Sequence, residues 1–149
     1  MRAVVQRVSE AWVQVNGRRV GEIGQGLLIY LGIHASDAAP DANYLAEKIL
    51  RLRIFDDPAE KMNLCLTEVH GALLVISQFT LYGDCRKGRR PSFSEAATPE
   101  KARELYDYFV SKCDQQGVKT QTGMFRERML VGSINSGPVT ILLDSQKRF

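Results

Sequence analysis

The hydrophobic pattern changes period several times along the chain, and each change predicts an element. Ala11–Val15 and Arg18–Ile23 alternate across Asn16-Gly17, a dipeptide that accepts the positive φ angles of a tight turn, so a β-hairpin is expected. Gly24-Gln25-Gly26 leads into Leu27-Leu28-Ile29-Tyr30-Leu31-Gly32-Ile33, an apolar run suited to a strand buried on both faces, and the N-terminal fifth reads as a β-meander. From Pro40 onward Leu45, Ile49 and Leu52 recur at helical spacing, predicting a helix over Asp41–Arg53. A second helix starts at Thr98-Pro99-Glu100, carries Leu105, Phe109 and Cys113 on one face, and stops at Gly117. Between the helices, Ala72-Leu73-Leu74-Val75-Ile76 is another buried strand, delivering Ser77–Thr80 to its carboxyl end, where polar site residues gather in α/β proteins. Arg128–Asn135 and Val139–Asp144 read as closing strands interrupted by Ser136-Gly137-Pro138. With no repeat, linker or low-complexity tract, the economical expectation is one α/β domain over residues 1–149.

Composition narrows the function classes. Of 149 residues, 44% are hydrophobic and 25% charged, the balance of a soluble globular protein. No apolar run approaches the ~20 residues of a membrane span, and Met1–Val8 lacks a signal peptide's hydrophobic region, so a cytoplasmic, non-membrane protein is expected. Cys65, Cys85 and Cys113 form no disulfide or metal-binding spacing and read as reduced structural thiols; His34 and His70 lie far apart. Neither a metal nor another cofactor is expected. The net charge is only +3, but Arg86-Lys87-Gly88-Arg89-Arg90 puts four positive charges in five residues, as a solvated loop or as a phosphate-binding segment.

Ser77 and Thr80 invite a nucleophile reading, yet no neighbouring histidine, lysine or acid arrangement supplies a base. Taken alone, their hydroxyls and the Gln78 amide would satisfy backbone groups near a strand end, and Phe79 would be a core residue. Pro138, which cannot donate to a β-ladder, reads locally as part of a turn.

Two stretches, Ser77-Gln78-Phe79-Thr80-Leu81-Tyr82-Gly83-Asp84 and Asn135-Ser136-Gly137-Pro138-Val139-Thr140, together resemble the signature motifs of bacterial-type D-aminoacyl-tRNA deacylases. The likeness extends from Met1–Val8 through Leu52-Arg53-Ile54-Phe55 and Lys61-Met62-Asn63 to Leu143-Asp144. It implies a homodimer with a barrel-like β core and two main helices, hydrolysing the ester between a D-amino acid and the 3′ end of tRNA. Ser77, Gln78, Phe79 and Thr80 would hold the ester and its developing oxyanion, with the neighbouring ribose hydroxyl helping to activate water. A cis Gly137-Pro138 peptide, braced by Arg7, would enter the partner subunit's site and exclude L-amino acids by overlap. Glycine, lacking a β-carbon, would escape that exclusion. Arg86, Lys87, Arg89 and Arg90 would bind tRNA phosphates, with Lys87–Phe93 matching a family pattern, while Phe125 and Met129 would pack near the terminal adenosine.

The chain departs from the usual family pattern at Arg126-Glu127-Arg128, commonly a small Gly-Ala-Asp-like stretch, and at Ser136, often Asp. Two alternatives remain at this point: the related animal-type editor, whose usual replacement of Ser77–Thr80 is absent here, and a noncatalytic RNA- or DNA-binding module using Arg86–Arg90.

Overall fold

Strand β1 (Arg2–Val15) organises the computed structural model, which describes all of residues 1–149. One edge of β1 carries two strands in succession: β2 (Arg18–Ile23) beside its distal half and β3 (Gly26–Gly32) beside its proximal half. The hairpin between β1 and β2 turns on Asn16 and Gly17, at φ 50° and 76°. Ala11 opposes Ile23 and Val8 opposes Gly26, so β2 and β3 continue one another along β1 instead of pairing as a meander. The physical reason is length: fourteen residues of β1 can template both shorter strands, and the Gly24-Gln25 break bends the chain without reversing it.

β3 pairs in parallel with β6 (Ala72–Ser77), and β6 in parallel with β7 (Thr120–Thr122). β2 curls over towards β7. A β-carbon at Gly21 would sit 2.6 Å from the Thr122 carbonyl oxygen, so only glycine allows an approach this close. The sheet thereby becomes a nearly closed barrel.

Both faces of β3 and β6 are covered, which explains their unbroken apolar runs. Leu27, Ile29, Leu31, Leu73 and Val75 join the larger core with α1 (Ala39–Leu50) and α2 (Pro99–Gln115), while Leu28, Leu74 and Ile76 join Val8, Ala11 and Val13 in a second cluster. Helix α2 lies where the sequence places it. Helix α1 ends at Leu50, short of Arg53, where the Leu52 N–H bonds to the Ile49 carbonyl in a tighter last turn. The hairpin of β4 (Phe55–Asp56) and β5 (Met62–Leu64), like β7, is too short to register as a periodic pattern.

β8 (Leu130–Asp144) runs antiparallel along the other edge of β1. The expected interruption at Ser136-Gly137-Pro138 is instead a bulge within this one strand. Gln6 opposes Thr140 and Val8 opposes Asn135, so the intervening β8 residues bow out opposite Arg7. β8 pairs with β1 alone and leaves its other edge free, so the missing N–H of Pro138 need not break a ladder. No helix is long and apolar enough to cross a membrane.

Candidate active site

At the carboxyl end of β6 the chain leaves Ser77 and enters a 3₁₀ turn over Phe79–Tyr82. The Gln78 N–H donates to the Leu31 carbonyl at 2.8 Å, the Leu81 N–H to Gln78 at 3.3 Å, and the Gly83 N–H to Thr80 at 2.9 Å. The first N–H groups, those of Phe79 and Thr80, have no carbonyl partner inside the turn. The Gln78 side-chain amide donates to the Thr80 hydroxyl. Arg2 clasps the turn from outside: Nη1 donates to the Leu81 carbonyl at 3.0 Å, the guanidinium lies 4.6 Å from the Tyr82 ring centre, and Nε meets Asp144 at 3.2 Å. Burial pushes the Tyr82 hydroxyl pKa up, keeping it a neutral group. From beneath, Gly32 supports the turn at close range.

A cavity of about 610 Å³ opens beside this turn. Ser77, Gln78 and Phe79 form one wall, Phe93 and the start of α2 another, and Phe125 with Met129 a third. Phe79 is 55% exposed, which corrects its reading as a core residue; it meets Phe93 edge-to-face at 5.0 Å, building an aromatic lip. Thr80 is exposed and outside the lining, joined to it through Gln78. The only charged residues on the lining are Arg126 and Glu127.

Gly137 and Pro138 lie elsewhere on the chain. Their peptide bond is cis, and Gly137 has φ 126°. The buried Arg7 reaches under them, with Nε donating to the Ser136 carbonyl at 3.0 Å and Nη1 to the Ile54 carbonyl at 2.7 Å and Asp56 at 3.1 Å. Asn135 Oδ1 accepts the Val139 N–H at 2.9 Å, closing the bulge. Both Gly137 and Pro138 are exposed, and neither lines the cavity. Strand register shows the separation. Ser77 is level with Leu31, Ala3 and Leu143, whereas the bulge is level with Arg7, Leu27 and Leu73. That offset is roughly 13 Å along the strands and three strand spacings, about 14 Å, across them.

The basic segment does not present four equivalent charges. Arg86 forks onto Asp84 at 2.9 and 2.8 Å, and the hydrogen bonds from its side chain, then from its backbone N–H, lower the Asp84 pKa to about 2. Lys87, Arg89 and Arg90 are exposed and enter none of the chain's seven ion pairs. Backbone hydrogen bonds of 2.8 and 2.9 Å between Asp84 and Ser92 hold the base of this loop. Cys85 stands exposed on it, so it is not a structural thiol as expected, while burial pushes the Cys113 thiol pKa up to about 12. No three His, Cys, Asp or Glu side chains gather anywhere in a metal-binding group.

Arg2, Gly32, Arg126 and Glu127 are the site features that sequence reasoning did not assign. Arg2 and Gly32 act through register across neighbouring strands, for which a local motif carries no signal. The departure at Arg126-Glu127 from the family pattern was visible, but its place on the cavity was not.

Comparison with known proteins identifies this architecture. The family described as D-Tyr-tRNA(Tyr) deacylase matches residues 4–144. The chain belongs to the D-aminoacyl-tRNA deacylase family. It is 59% identical to the D-aminoacyl-tRNA deacylase of Syntrophobacter fumaroxidans and 58% identical to that of Alkaliphilus metalliredigens, each over 149 residues and the whole of both chains. Among solved structures it resembles a c-Myc DNA Unwinding Element Binding Protein, with TM-score 0.91 and 35% identity over 97% of this chain and 98% of that one. A probable eukaryotic D-amino acid tRNA deacylase shares the fold, at TM-score 0.83 and 20% identity over 96% and 98% of the two chains. This family member is therefore an aminoacyl-tRNA ester hydrolase that removes D-amino acids from tRNA in translation quality control.

Proposed function

We propose that this deacylase works as a cytosolic homodimer in which the Gly137-Pro138 bulge of each subunit completes the cavity of the other. The observation that carries the reading is the separation of bulge and cavity within one chain. A bulge that stands exposed, braced by the buried Arg7, is built to project. A second observation supports a partner copy: β8 exposes Leu130, Ile134 and Leu142 beside the bulge, along the free edge of the sheet.

In this reading one domain binds the 3′ end of aminoacyl-tRNA. The aminoacyl ester lies against Ser77, Gln78, Phe79 and Thr80, and the unpaired N–H groups of Phe79 and Thr80 stabilise the oxyanion formed by attacking water. The Thr80 hydroxyl oxygen accepts a hydrogen bond from the Gln78 amide, which leaves its own O–H free to donate a hydrogen bond to the ester. No protein nucleophile is required; the adjacent ribose hydroxyl orients the water. Lys87, Arg89 and Arg90 contact tRNA phosphates, with Arg86 contributing once released from Asp84, and Phe125 and Met129 pack near the terminal adenosine. An L side chain overlaps the partner's Gly-Pro ridge, and a clash costing about 3 kcal/mol suppresses it roughly a hundredfold. Glycine passes the same gate.

The test compares D-Tyr-tRNA, L-Tyr-tRNA and Gly-tRNA with one enzyme preparation. Release of D-tyrosine and glycine with intact L-Tyr-tRNA is expected, and poor cleavage of a D-aminoacyl substrate ending in 2′-deoxyadenosine. Intact Gly-tRNA at enzyme levels that clear the D substrate would overturn a purely steric gate. Near-normal cleavage of the deoxy substrate would overturn substrate assistance.

A further inference from the structure

Arg126 and Glu127 sit at the cavity on a tight turn. The Glu127 N–H donates to the Met124 carbonyl at 3.2 Å, closing a turn with Phe125 in its second place and Arg126 in its third. Arg126 has φ 66°, a left-handed conformation that residues with a side chain rarely hold. The turn puts Phe125 on the cavity wall and both charged residues on its rim, exposed.

Neither charge is used by the fold: neither Arg126 nor Glu127 enters any of the seven ion pairs. The rest of the lining is apolar or neutral, from Ile76 to Val131. Any electrostatic selection made at the cavity itself therefore falls to these two residues. A guanidinium is a planar fork matched to phosphate oxygens, and an unpaired one at a rim is available at no cost in broken contacts.

We propose that Arg126 is a specificity-determining residue that binds the phosphodiester on the 5′ side of the nucleoside held in the cavity, with Glu127 moderating that attraction. The proposal rests on the reading of this cavity as the site for the tRNA 3′ end. The cavity volume, about 610 Å³, lies within the range of sites that hold a whole nucleoside-sized ligand. With the ester against Ser77–Thr80 and the base near Phe125, the next residue of the turn, Arg126, stands exposed on the lining, within the reach a phosphate attached to that nucleoside would need. A nucleoside ester without that phosphate gains nothing from the residue.

The experiment measures kcat/KM for D-Tyr-tRNA and for the D-tyrosyl ester of adenosine, which has no phosphodiester, using wild type, Arg126→Ala, Arg126→Lys and Glu127→Gln. Arg126→Ala should lower kcat/KM on tRNA about tenfold, leave the adenosine ester within about twofold, and flatten the salt slope on tRNA by about 0.7, the increment for one phosphate of a single strand. Arg126→Lys should recover part of the loss, and Glu127→Gln should raise kcat/KM on tRNA. Inhibition gives a second readout: wild type should bind adenosine 5′-monophosphate more tightly than adenosine, and Arg126→Ala should erase that difference. Equal losses on tRNA and ester, an unchanged salt slope, or an undiminished preference for the monophosphate would overturn the proposal. Cleavage of neither substrate by wild-type enzyme would instead refute the reading of the cavity on which it rests.

Discussion

Replacing Gly32 by alanine should damage catalysis as well as stability. A β-carbon there would lie 2.9 Å from Leu81 Cβ, 3.0 Å from the Gln78 carbonyl oxygen and 3.3 Å from Tyr82 Cε2. Two of these atoms belong to the backbone or the first carbon of a side chain, so they yield only if the 3₁₀ turn itself moves by a few tenths of an ångström. Overpacking of this kind costs about 1–3 kcal/mol of stability. The same displacement shifts Gln78, Phe79 and Thr80 together relative to the cavity, and a misplacement approaching 1 Å can cost about 10²-fold in rate. We expect kcat on D-Tyr-tRNA to fall by about tenfold or more, with cooperative unfolding retained and the melting temperature lowered by about 2–12 °C. Single-turnover deacylation alongside thermal denaturation is the assay. A variant that loses 1–3 kcal/mol yet deacylates within twofold of wild type would show that the turn need not be held in place for the reaction.

Arg7→Met removes hydrogen bonds to Ser136 and Ile54 and the pair with Asp56, so it should cost about 2–4 kcal/mol in denaturant melts and reduce discrimination against L-Tyr-tRNA. Asp84 has a folded-state pKa of about 2, below the ordinary carboxylate value. Its pairing with Arg86 therefore contributes fully above the unfolded pKa near ~4 and is lost only as pH falls towards 2. The Asp84 carboxyl resonance should stay flat from pH 5 to 9, and Asp84→Asn should steepen the salt slope on tRNA by about 0.7 through release of Arg86. Iodoacetamide at pH 8 should modify the exposed Cys85 rapidly in the native protein and leave Cys113, whose thiol pKa is pushed up to about 12, untouched until unfolding; mass spectrometry reads the sites.

The elements with long, clean periodicity were legible in the sequence. Leu105, Phe109 and Cys113 mark the buried face of α2, and the unbroken runs at Leu27–Leu31 and Leu73–Ile76 signal burial on both faces, as the helices and barrel interior provide. What periodicity does not carry is which edge each strand takes. The run from Arg18 to Gly32 contains two strands by local pattern, but their shared use of one edge of β1 depends on the length of β1, a long-range property. Short strands such as Phe55–Asp56 hold too few residues to repeat. Of the candidate functional residues, the Ser77–Thr80 motif and Gly137-Pro138 were readable as motifs, whereas the Arg2 clasp on Leu81 and the capture of Arg86 by Asp84 arise from tertiary approach and side-chain rotamer.

The offset between the Gly137-Pro138 bulge and the cavity of its own chain has a genetic corollary under the two-fold arrangement proposed. Two alleles, one crippled in the bulge and the other in the Ser77–Thr80 turn, would each lack a selective centre alone, the first keeping its chemistry without the gate and the second the gate without its chemistry. Coexpressed, their mixed dimers would bring one sound bulge to one sound cavity, restoring a working centre in a molecule whose second centre is doubly defective. Statistical pairing makes half of all dimers mixed, so about a quarter of wild-type centres would return, a rescue that centres confined within single subunits would never display.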